Sequence, residues 1–262
     1  MIKFTGIVVV YNEDSMLKKS LKSLSFCEDI IVVDLGSEDQ SVDIARECNA
    51  RIVFHDHVPT APEARKFGAK HALTDWIVFL DPDEVFPSHI YDCLCATIEK
   101  NPKVGQVKVP WKFFFKEEPL EGTRWGGEKY KGHVLSRSRC WIGPPQNKYA
   151  HKDVSLKPGY EYVKLPWKKE NAIKHYWFDS FYSLYEKHAR YVQNEGEVRY
   201  ERGERFPGWM RWFLKIISAF KGCYVHHDGW REGARGLFLS AFWSWYQGAS
   251  LLSLRKYQRK AD

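Results

Sequence analysis

Two carboxylates, Asp81 and Asp83, stand one residue apart in FLDPDE, the stretch from Phe79 to Glu84. Hard divalent cations take oxygen ligands and bind carboxylates together with substrate phosphates. A cation held there and bridging a diphosphate would neutralise charge on a leaving group. The spacing suits one carboxylate on the metal and one on a ribose or a metal-bound water. Asp-Pro-Asp is also ordinary turn chemistry, so the pair gains meaning only from its place in the fold. The six cysteines form no CxxC pair. Free Cys usually serves as a small buried hydrophobe, so a thiol nucleophile is not the first expectation.

The elements before DPDE alternate between strand and helix patterns. GIVVVY (6–11), DIIVVD (29–34), RIVF (51–54) and WIVFL (76–80) are continuous apolar runs, as expected for strands buried on both faces. Leu17, Leu21 and Leu24 repeat at helical spacing between Lys18, Lys19 and Lys22. Ser37 and Gln40 predict a capping box for a helix through Cys48. Pro62 suits the first turn of a helix to about Leu73. This order predicts an α/β fold with a mostly parallel, Rossmann-like sheet. Ligands bind such sheets beyond the carboxyl ends of the strands. Asn12, Glu13, Asp34 and DPDE are the polar residues there. A further amphipathic helix is expected from Ser88 to Lys100, a strand at QVKVPWKFFF, irregular structure with short strand-like pieces over 116–170 and a helix from Tyr176 to about Tyr200.

Three motifs in order resemble family 2 glycosyltransferases, which have the GT-A fold. They are VVVYNE (8–13), VVDLGSEDQSVDIA (32–45) and EARKFGAKHALTDWIVFLDPDE (63–84). The subgroup of lipopolysaccharide-core glucosyltransferases shares DxDE and a hydrophobic, basic tail. The resemblance implies that Tyr11, Asn12 and Glu13 contact the nucleotide and that Asp34 contacts base or ribose. It implies Arg65 near the diphosphate, with Lys66 where the family has Asn. Asp81 would touch ribose or a metal-bound water, and Asp83 would ligate Mg²⁺ or Mn²⁺. An inverting transferase also needs a carboxylate base. YAHKDV (149–154) stands where the subgroup has V-H-E, with His151 matching the His and Lys152 at the Glu position. Asp153 is then one candidate base and Glu128 the other, while His151 is a candidate metal ligand. HYW (175–177) resembles another subgroup motif, and His175 is expected either to line the site or to sit in the core.

Composition and charge bear on partners. Of 262 residues, 44% are hydrophobic and 28% charged, which suits a packed chain and not a disordered one. Trp is frequent at 11, a residue enriched where a surface is half apolar and half wet. From Glu201 onward there are 11 Lys/Arg against 5 Asp/Glu, so +6 of the net +7 lies in the last quarter. Apolar residues are interleaved with that charge, which favours an anionic membrane over nucleic acid. Trp209–Phe220 reads as an interfacial amphipathic helix. Gly236–Leu254 carries no charge over 19 residues, long enough to span about 28 Å. Its four Ser, one Gln and two Gly favour lying in the interface over crossing it. Packing on the catalytic part or on a second subunit of a homo-oligomer is the plain alternative.

The expected division is a nucleotide-sugar half over 1–100, an acceptor half over 101–200 and a basic amphipathic tail over 201–262. The resemblance implies inverting transfer from a nucleotide sugar, UDP-linked, to a lipid-linked or lipopolysaccharide acceptor in bacterial surface-glycan assembly. With no signal peptide at Met1, the expected place is the cytoplasmic face of the cell membrane. A sugar nucleotidyltransferase would need a Gly-rich phosphate loop where this chain has Tyr-Asn-Glu-Asp. A non-catalytic glycan- or membrane-binding relative remains the other alternative.

Overall fold

Residues alternate between two apolar clusters along each early strand, the pattern of a sheet covered on both faces. In β1 (Phe4–Val10), Phe4, Val8 and Val10 join one cluster and Ile7 the other. In β2 (Asp29–Asp34) the division is Val32 against Ile31 and Val33. The first cluster is closed by α1 (Asp14–Ser23), α2 (Ser41–Glu47) and α4 (Ile90–Lys100), through Leu17, Leu21, Ala45, Ile90, Leu94 and Ile98. The second is closed by α3 (Ala61–His71) through Ala64 and Ala69. The computed structural model describes residues 1–58, 61–115, 117–143, 154–178 and 180–262.

The remaining strands are β3 (Arg51–Phe54), β4 (Trp76–Leu80), β5 (Glu84–Val85), β6 (Val104–Phe115), β7 (Glu118–Pro119), β8 (Lys129–Ser136), β9 (Cys140–Ile142), β10 (Val154–Leu156), β11 (Glu161–Lys164) and β12 (Ile173–Phe178). Among the described residues the main sheet runs β3-β2-β1-β4-β8-β6-β12-β5, with β7 and β11 also paired to β6. The first four of these are mutually parallel, whereas β8 pairs antiparallel with both β4 and β6. Short β9 and β10 form a separate antiparallel ladder. The sheet is therefore the expected α/β arrangement, parallel at its N-terminal end and mixed beyond β4.

The chain divides into two compact units, Met1–Trp111 with Glu128–Tyr176, and Lys112–Gly127 with Trp177–Asp262. The second unit contains α5 (Phe181–Glu201), α6 (Trp209–Lys221) and α7 (Ala234–Ala261). Glu195 on α5 accepts from the Tyr246 hydroxyl at 2.9 Å and the Ser250 hydroxyl at 2.6 Å, and Arg199 donates to Ser250 at 2.8 Å. The Trp212 indole of α6 donates to the Gly248 carbonyl at 3.0 Å, and Ser244 donates to the Ile216 carbonyl at 3.1 Å. These contacts account for Ser244, Gly248 and Ser250 in the uncharged stretch 236–254. They seat α7 against α5 and α6, with Leu239, Phe242, Leu251 and Leu254 buried. Among the described residues no helix is long and apolar enough to cross a membrane.

Two local expectations are corrected. Ser37 is not an N-cap: α2 starts at Ser41, and the Ser37 hydroxyl accepts the Asn12 N–H at 3.1 Å instead. Asp39 receives the Ser41 N–H at 2.9 Å and the Asp14 N–H at 3.1 Å. The helix expected from Tyr176 begins only at Phe181, because Ile173–Phe178 is recruited as strand β12.

Candidate functional site

The parallel pairing of β1 with β2 and β4 sets Val10, Asp34 and Leu80 at one edge of the first unit. Three loops leave that edge. The first two are tied together: the Asn12 side chain accepts the Glu38 N–H at 2.7 Å, and the Glu13 N–H reaches the Ser41 hydroxyl at 3.3 Å. Asn12 has φ +53, a left-handed conformation that Asn tolerates better than most residues. Asp34 is buried, and its carboxylate accepts the N–H groups of Gly36 at 3.1 Å and Ser37 at 3.2 Å. It therefore shapes this loop, whatever else it contacts. Tyr11 is exposed, with its ring edge-on to His57 at 4.6 Å.

The third loop is DPDE. It is a turn, with the Glu84 N–H on the Asp81 carbonyl at 3.0 Å. It is also more than a turn, because Glu84 is fully buried beneath it. Glu84 accepts the Asp81 N–H at 3.2 Å, the Trp111 indole at 2.6 Å and the Lys131 ammonium at 2.7 Å. Lys131 donates as well to Asp81 Oδ2 at 2.8 Å, and Arg65 from α3 donates to Asp81 Oδ1. Burial alone would raise the Asp81 carboxyl, but Arg65 and Lys131 hold it well below the usual carboxylate range. Burial likewise opposes the charge on Lys131, yet Asp81 and Glu84 outweigh it and raise that group. Both Asp81 oxygens are thus engaged by cations.

The register of β4 with β8 explains this cluster. Trp76 pairs with Ser136 and Val78 with Val134; the same register continued sets His133 opposite Phe79 and Lys131 opposite Asp81. The His133 Nδ1–H donates to the Phe79 carbonyl at 2.6 Å, while Nε2 faces Glu84 Oε2 at 3.4 Å. Burial pushes this imidazole down to about 4, against the pull of Glu84. It is neutral at pH 7.

Asp83 points elsewhere. β5 and β12 pair antiparallel, His175 opposite Glu84, and the Tyr176 N–H bonds the Asp83 carbonyl at 2.8 Å. This brings His175 Nε2 within 3.2 Å of Asp83 Oδ2. The His175 ring also stacks on Trp111, centroids 4.9 Å apart. Two cis ligands about 2.1 Å from an octahedral cation lie about 3 Å apart. The Asp83–His175 pair therefore fits a divalent cation as two of its ligands. Among the described residues no cluster of three or more His, Cys, Asp or Glu side chains forms a fuller protein cage, and two protein ligands suit a cation that also binds substrate phosphates.

Of the residues named from sequence, Arg65 and Asp81 are brought together, and Asp83 sits beside His175. Asn12, Glu13 and Asp34 occupy the linked loops, with Tyr11 at their start. Glu128 is exposed, immediately ahead of β8. His151 and Asp153 lie outside the described residues. Lys131, His133, Trp111 and the buried role of Glu84 were not anticipated. The signal for two of them was present, since Lys131 and His133 alternate on one face of the strand beginning at Lys129.

The family model described as Glycosyl transferase family 2 matches residues 5–141. An uncharacterized glycosyltransferase of Haemophilus influenzae is 28% identical over 127 residues, covering 44% of this chain and 43% of that protein. The SPbeta prophage-derived glycosyltransferase SunS of Bacillus subtilis is 28% identical over 136 residues, 50% of this chain and 29% of its own length. The chain thus spans less than half the length of these relatives. Among solved structures, S. aureus TarS aligns at TM-score 0.39 and 23% identity, over 43% of this chain and 22% of that one. Glucosyl-3-phosphoglycerate synthase of Mycobacterium tuberculosis, in complex with Mn²⁺, UDP and glucosyl-3-phosphoglycerate, aligns at TM-score 0.36 and 21% identity, over 44% and 45%.

Proposed function

We propose that this chain, which belongs to glycosyl transferase family 2, moves a sugar from a UDP-linked donor to a lipid-linked acceptor with inversion. The observation that carries the donor half is the pairing of Asp83 with His175, 3.2 Å apart beside a cation-clamped Asp81. These two side chains would hold Mg²⁺ or Mn²⁺. Such an ion, when bound, supplies positive charge to the diphosphate leaving group.

The protein's own residues divide the remaining work. Arg65, fixed by Asp81 and lying 5.8 Å over the Phe79 ring, presents a guanidinium whose planar fork matches phosphate oxygens. Preorganised charge of this kind acts where negative charge develops as the bond to the nucleotide breaks. The Tyr11–Glu13 loop and the Asp34 loop are held together by Asn12 and Ser37, which supports a role in seating base and ribose. A carboxylate then takes the acceptor hydroxyl's proton as the acceptor oxygen attacks the anomeric carbon. Glu128 and Asp153 are the two candidates. The basic, apolar C-terminal segment supports an acceptor carried on lipid at the cytoplasmic membrane face, in surface-glycan or lipopolysaccharide assembly.

The test is a panel of nucleotide sugars with Mn²⁺ or Mg²⁺, read as release of nucleoside diphosphate. Release of UDP from a UDP-sugar is expected; a folded protein that neither binds nor turns over any donor would sink the proposal. For the base, Glu128→Gln and Asp153→Asn are compared. One of them is expected to lower kcat about 100-fold or more with UDP affinity retained. Full activity in both variants would remove both from the base role.

A further inference from the structure

Helix α6 buries no residue. Its packing seam is Trp212 and Ile216, which meet α7 at Gly248 and Ser244. Around the helix from that seam, Trp209, Phe213, Ile217, Met210 and Leu214 form an apolar stripe. At 100° per residue these five positions fall within one 140° arc. They are 48 to 72% exposed, a contiguous apolar surface of the kind that marks an interaction site. Arg211 lies about 60° beyond the stripe's Leu214 edge and Lys221 one turn beyond Ile217, and no acidic residue occurs from Phe206 to His227.

We propose that α6 docks on an anionic bilayer, its apolar stripe in the headgroup–acyl boundary and Arg211 and Lys221 among the lipid phosphates. A stripe of Trp, Phe, Leu and Ile with Lys and Arg alongside is the form of a helix that lies in the interface plane. Charge decides between lipid and a second copy of this chain. An isologous dimer would set the same Arg211 and Lys221 against one another, whereas an anionic surface neutralises them. This assigns membrane contact to α6 and leaves α7 as the helix it packs on. It holds or fails independently of the transfer chemistry.

Full-length protein is sedimented with vesicles of phosphatidylcholine alone and of phosphatidylcholine with about 30% phosphatidylglycerol. Two basic residues near the surface, each worth roughly fivefold, predict about 25-fold tighter binding to the anionic vesicles, falling as salt rises. The doubly substituted Phe213→Ser, Ile217→Ser protein changes only exposed side chains and is expected to fold. It is expected to lose binding to both vesicle types. Arg211→Gln with Lys221→Gln is expected to lose the anionic preference by about tenfold or more. Three results would overturn the proposal: equal binding to both vesicle types, unchanged binding by the doubly Ser-substituted protein, or a dimer in solution that this same variant abolishes.

Discussion

Lys131→Met removes a cation that two carboxylates share, and the structure sets the size of the effect. The ammonium lies 2.7 Å from Glu84 and 2.8 Å from Asp81. At an effective dielectric of about 20, each contact is worth about 6 kcal/mol before desolvation. Desolvation cancels much of that, since Glu84 is wholly buried. What survives on truncation is the penalty of leaving the Glu84 carboxylate with the Trp111 indole and the Asp81 N–H but no cation. Breaking a buried pair in this way costs about 3–5 kcal/mol. The Lys131 side chain is 33% exposed, which puts the expected loss at the low end, about 3 kcal/mol. Glu84→Gln removes the charge that Lys131 serves. The double variant is therefore expected to be more stable than the sum of the singles by about 2 kcal/mol. Urea unfolding at pH 7, with m unchanged among the four proteins, measures the cycle. Additivity within about 0.5 kcal/mol would refute the reasoning, as would a loss under about 1 kcal/mol for Lys131→Met alone.

Two further predictions concern the supports of the site. Gly68 faces Ile7 and Val33, and a Cβ there would meet both side chains at 2.8 Å. Gly68→Ala is expected to lift α3, and Arg65 with it, costing about 1–3 kcal/mol in unfolding and weakening UDP binding; unchanged values in both would remove Gly68 from the argument. His133, at about 4 in the fold against about 6.5 when unfolded, takes up its proton in the unfolded chain first. Stability is therefore expected to rise with pH between these values, by about 3 kcal/mol from this group. His133→Asn, whose amide can still donate to Phe79, is expected to lose that part of the slope in unfolding measured from pH 4 to 7, and an identical slope would contradict the burial account.

The first half of the fold was legible because its strands are read twice, by β-branched runs and by the turn residues that follow them. Asp81 and Asp83 could be placed at a strand's end for that reason. What was not legible depends on pairings between distant segments. Lys131 reaches Asp81 through the β4–β8 register, and His175 reaches Asp83 through the pairing of β12 with β5. Neither register is written in local periodicity. The Ser37–Gln40 pattern matched a cap, but tertiary demand for the Asn12 N–H took the hydroxyl. The uncharged run 236–254 resembles an interfacial helix by composition, whereas its Ser244, Gly248 and Ser250 contact α5 and α6. Composition cannot distinguish apolar surface that meets lipid from apolar surface that meets protein.

In the proposed function Asp83, with His175, holds the cation of a UDP-sugar site, and calorimetric titration of UDP into the protein, with and without Mn²⁺, puts that role to the test. Wild type is expected to bind UDP in a metal-dependent manner. Asp83→Asn is expected to weaken that binding at least about tenfold, in line with loss of a charged ligand, while a surface control such as Glu47→Gln leaves it unchanged. UDP binding that is equally strong without metal, or equally strong in Asp83→Asn, would contradict the account.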